Sequence, residues 1–67
     1  MSKVTHAGFK IKSISDGTLY RARVQRIDGS PFEAQGRSTD QWETPQCMDR
    51  QTAIGQAIHA IDIGRIK

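Results

Sequence analysis

Lys10 and Lys12, followed by Arg21, Arg23 and Arg26, are the residues whose types and spacing could do chemistry in this sequence, and that chemistry is the neutralisation of an anion. Long cationic side chains two residues apart on an extended backbone stand on the same face, where their summed potential attracts phosphates or acidic protein surfaces. The charge around them is polarised in the same sense. Residues 1–26 hold Lys3, Lys10, Lys12, Arg21, Arg23 and Arg26 against Asp16 alone, a local charge of +5, whereas residues 27–67 carry −2. The competing account of the same side chains is a solvated strand face whose cations discourage edge-to-edge aggregation.

Other reactive groups lack the partners that chemistry needs. Cys47 and His59 are the one thiol–imidazole pair, but Cys47 precedes the expected helix and His59 points to its solvent side, so the base is out of reach of the nucleophile. A single cysteine excludes an internal disulfide, and His6 and His59 show no paired-ligand spacing, so no metal is expected. Asp16 and Asp28 stand in Asp-Gly turns and Asp62 lies near a helix end, which gives each a structural explanation. Gly29 and Gly36 lack the spacing and the Lys-Ser/Thr ending of a phosphate loop. The expectation is a chain that is not an enzyme and takes no cofactor or small-molecule substrate.

The elements that must position the basic residues follow from periodicity. Phe9 to Ile14 places Phe9 and Ile11 on one face and Lys10 and Lys12 on the other, a first strand over residues 9–14. Ser15-Asp16-Gly17-Thr18 supplies a turn. Over residues 19–27, Tyr20, Ala22 and Val24 alternate with Arg21, Arg23 and Gln25, a second strand with one apolar and one cationic face. Asp28-Gly29-Ser30-Pro31 ends the pairing, and the stretch from Phe32 to Gln41 reads as loop. A third strand is expected over residues 41–48, where Pro45 suits an edge; the alternative has Thr44 capping a helix with Pro45 in its first turn. Residues 1–7 show no strong period and are expected to fray.

Ala53, Ile54, Ala57, Ile58 and Ile61 fall in one sector at 100° per residue, which predicts a helix over residues 50–63. Asp49 is the expected N-cap and Gly64 the residue that closes the other end. Together these elements predict an α+β domain: a three-stranded antiparallel sheet with one carboxyl-terminal helix on one face. With 67 residues the chain forms a single domain with a thin core, so Tyr20 and Trp42 are expected to be buried rather than free to stack on bases. Period-two geometry then forces Lys10, Lys12, Arg21 and Arg23 together onto the uncovered face.

Trp42-Glu43-Thr44, Met48-Asp49, Ala53, Ala57 and Ile61-Asp62 resemble small bacterial domains of unknown function that end in a strand, a capped alanine-rich helix and an Ile-Asp pair. The resemblance covers roughly the last third of the chain and implies no activity. The expected architecture also looks like that of β-sheet DNA readers such as plant AP2 domains and integrase amino-terminal domains, whose characteristic motifs are absent here. The leading expectation is a binding module that presents Lys10, Lys12, Arg21, Arg23 and Arg26 to nucleic acid or an acidic protein. The alternative is a protein-interaction or structural module, such as a homodimer formed through the sheet. Apolar runs of only a few residues predict no membrane span, and the lone thiol suits a reducing cytoplasm.

Overall fold

A computed structural model describes residues 3–67 of the chain. It is α+β: strands β1 (Lys3–His6), β2 (Phe9–Asp16), β3 (Leu19–Arg26), β4 (Phe32–Ala34), β5 (Arg37–Thr39) and β6 (Trp42–Glu43) precede helix α1 (Arg50–Asp62). The main sheet is antiparallel with four strands in the order β1-β2-β3-β6, and β4 pairs with β5 in a separate two-stranded sheet. No helix among the described residues is long and apolar enough to cross a membrane.

The sheet gains its extra strand where fraying was expected. Lys3–His6 pairs along β2, with Val4 opposite Ile11 and His6 opposite Phe9. The β1–β2 turn has Ala7 at φ 52° and Gly8 at φ 85°, two successive left-handed residues that match the twist of a hairpin. Alanine in that conformation is uncommon, which is why Ala7-Gly8 gives little warning of the reversal. Gln35-Gly36 repeats the device at φ 53° and 79° and makes the β4–β5 hairpin within the stretch expected to be loop.

The expected third strand is realised in pieces. Only Trp42–Glu43 is regular strand, opposite Val24 and Arg23. The Thr44 amide then donates to the Ala22 carbonyl at 2.9 Å, and the buried Thr44 hydroxyl accepts from the Ala22 amide at 3.0 Å. The side chain thereby stands in for a ladder carbonyl as the acceptor of the Ala22 amide. Pairing resumes between Tyr20 and Cys47, leaving Pro45 and Gln46 as a bulge on the edge. The alternative helix start at Thr44 is not the one adopted.

Helix α1 begins after Asp49, whose carboxylate accepts the Thr52 amide at 2.7 Å. Its far end is closed by Gly64 at φ 81°, with the Gly64 amide donating to the Ile61 carbonyl and the Arg65 amide to that of Ala60. Ala53, Ala57, Ala60 and Ile61 are buried against β2 and β3, where Ile11, Ala22 and Val24 are fully enclosed. Phe32 packs edge-on to Phe9 at 5.2 Å between ring centres. The chain after Gly64 pairs with β4 and buries Ile66 beside Ala34.

Candidate functional site

Register decides which cations share a face. In β2 and β3, Ile11 stands opposite Val24 on the helix side, so the neighbouring pairs Lys10–Gln25 and Lys12–Arg23 stand on the other side. Ile14–Arg21 and Asp16–Leu19 continue that outer face, and Thr5 and Glu43 extend it across the flanking strands. Lys10, Lys12, Arg21 and Arg23 are therefore brought together on the face away from α1.

Arg26 is not with them. It pairs with Phe9 on the helix side, its guanidinium lies 5.1 Å from the centre of the Phe9 ring, and it donates to the Lys67 carbonyl at 3.1 Å. That placement gives Arg26 a packing role at the core margin, through cation–π contact and a tether on the chain end. Parity explains the split: Arg26 lies an odd number of residues from Arg21 and Arg23, so a regular strand turns it to the opposite side.

The two remaining arginines are held by carboxylates. Arg23 donates through Nε and Nη2 to Glu43 Oε2 at 3.1 and 2.9 Å, and Arg21 Nε donates to Asp16 Oδ2 at 2.9 Å. Arg21 Nη1 also approaches Glu43 Oε1 at 3.8 Å, so one carboxylate serves both guanidinium groups. With side chains between 30% and 43% exposed, such pairs contribute at most about 1 kcal/mol each to stability. Their larger effect is positional, because they fix the guanidinium planes on the open face and lower its net charge. Lys10 and Lys12 form no ion pair among the described residues. Glu43 as a shared anchor could be read only with the β3–β6 register in hand.

Three aspartates have acidities set by local donors. Hydrogen bonds from Gln46, at 2.6 Å, and Arg21 hold Asp16 below the ordinary aspartate value near 3.8. Ser30 does the same for Asp28 in its turn, and the Thr52 amide for Asp49 at the helix cap. Because each is depressed in the folded chain, the unfolded chain binds more protons as pH falls. The stabilisation is complete above about pH 5 and is lost as pH drops through 3.8 and the lowered native values. Melting followed by circular dichroism should be level from about pH 5 to 7 and decline below about pH 4. A level profile down to about pH 2 would contradict this assignment.

The other reactive residues stand apart. Cys47 is buried and directs its thiol to the Pro45 carbonyl at 3.4 Å, whereas His59 is exposed on α1. His6 meets Asp62 at 2.7 Å and ties β1 to the end of the helix. Tyr20 and Trp42 are half-buried against the core, and Arg50 covers the Tyr20 ring at 5.3 Å. No family model, curated protein or solved structure matches the chain.

Proposed function

We propose that this chain is a non-enzymatic binding module whose open sheet face receives the phosphate backbone of a nucleic acid. The observation that carries the reading is the joint placement of Lys10, Lys12, Arg21 and Arg23 on the side of the sheet away from α1. Arginine and lysine contacts to phosphate supply most sequence-independent affinity, and a strand ribbon is narrow enough for a major groove about 12 Å wide. Gln25, beside Lys10 on the same face, is the side chain suited to the edge of an adenine.

The carboxylates make the strength of binding a measure of mechanism. If only Lys10 and Lys12 neutralise phosphates, raising salt from about 50 to about 200 mM should weaken binding to a labelled 20-base-pair duplex roughly 10-fold. If Arg21 and Arg23 leave Asp16 and Glu43 for phosphates, the same change should weaken it roughly 10²-fold. Fluorescence anisotropy reads either slope. Absence of binding to both DNA and RNA duplexes at about 50 mM salt, or binding indifferent to salt, removes the proposal.

A further inference from the structure

The flank of α1 that faces β6 forms a groove of about 540 Å³ with a different character from the open sheet face. Trp42 and Pro45 make one wall, and Thr52, Gly55, Gln56, His59 and Ile63 make the other. At roughly 1.5 Å per residue, the helical stripe from Thr52 to Ile63 is roughly 16 Å long.

Two independent features bear on what fits there. The first is charge: among the described residues the only ionisable side chains lining the groove are His59 and Arg65, both toward the carboxyl-terminal end of α1, and no carboxylate among them lines it. Asp62, which shares that end of the helix, is engaged by His6 at 2.7 Å. The second is Gly55, which sits in the middle of the helix, where glycine is costly relative to alanine. A Cβ at that position would meet nothing within 4 Å, so the chain's own packing does not demand glycine. A bare backbone there leaves the floor of the groove open to close approach from outside.

We infer that the groove is a docking site for an extended peptide segment of a partner protein, with an apolar side chain over Gly55 beside Trp42 and an aspartate or glutamate at Arg65. About five residues at roughly 3.3 Å each span its length. A nucleic-acid strand would want cations spaced along the whole groove, whereas here they stand at one end, as a peptide with a single acidic residue would require. The groove lies on the helix side of the sheet, so this inference and the open-face reading stand or fall separately.

The test is selection of a random heptapeptide library displayed on phage against the full chain, with depletion on a Gly55→Leu variant. Trp42 is the only tryptophan, so its emission reports occupancy of the groove directly. The expected result is enrichment of sequences that place Asp or Glu next to apolar residues and shift Trp42 emission when added as free peptides. Arg65→Glu should weaken such a peptide at least about tenfold, the scale of one lost charge-assisted contact, and Gln56→Glu should weaken it too by putting a like charge into the groove. Gly55→Leu should abolish binding while its melting temperature rises, which separates blockage from misfolding. Failure to enrich any sequence, equal binding to Gly55→Leu, or a shift of Trp42 emission by oligo-dT in place of peptides overturns the inference.

Discussion

An Ile11→Ala chain will be largely unfolded at 25 °C. Ile11 is completely enclosed in the middle strand, opposite Val4 on one side and Val24 on the other, beneath the alanine face of α1. Truncating such a residue costs about 2–5 kcal/mol in lost transfer energy and residual cavity. A core in a domain of this size rarely supplies more than about 3–5 kcal/mol in total. The small alanines at positions 53 and 57 cannot swing into the space, so relaxation will recover little. Ile14 is the internal control: it lies on the outer face opposite Arg21 and is half-buried, and Ile14→Ala should cost about 1 kcal/mol or less. Urea unfolding followed by circular dichroism compares the two. Equal losses would mean that the two faces of β2 have been assigned wrongly.

Reversing both free lysines, Lys10→Glu with Lys12→Glu, should lower duplex affinity on the order of 10²-fold at about 50 mM salt, since two phosphate contacts are lost and two repulsions gained. Stability should hardly change, because a carboxylate at position 12 stands directly across from Arg23. Arg23→Glu makes the opposite demand. It sets a carboxylate against Glu43, its partner across β6, and removes both hydrogen bonds that Arg23 gives it. That variant should lose about 1 kcal/mol of stability as well as affinity. Anisotropy and thermal melting on the same preparations separate the effects, and an unaltered affinity in the double lysine variant would end the nucleic-acid reading.

The strands that carry the basic face were legible because their alternation is strict: Tyr20, Ala22 and Val24 against Arg21 and Arg23 leave one pairing that buries the apolar set. The helix was legible for the same reason, with Asp49 and Gly64 marking its ends. What escaped depends on contacts remote in sequence. β1 is held by its partner β2 and by a turn that begins with alanine, and the pieces after β6 are held by the Thr44 hydroxyl and the Cys47 backbone. The neutralising role of Glu43, twenty residues from Arg23, follows from strand register, which local period does not specify. The opposite placement of Arg26 follows from parity alone, since it lies an odd number of residues from Arg21 and Arg23.

The two margins of the main sheet are unequal in what they permit. On one side β6 offers two residues before Pro45 pushes the backbone outward, and a neighbouring chain finds no continuous row of amides there. On the other side β1 offers four residues. Growth through the main sheet by strand addition needs both of its margins on every molecule, and among the described residues β1 is the one left continuous. Two copies joined β1 to β1 would use up that margin on both, so growth through the main sheet would stop at a closed pair.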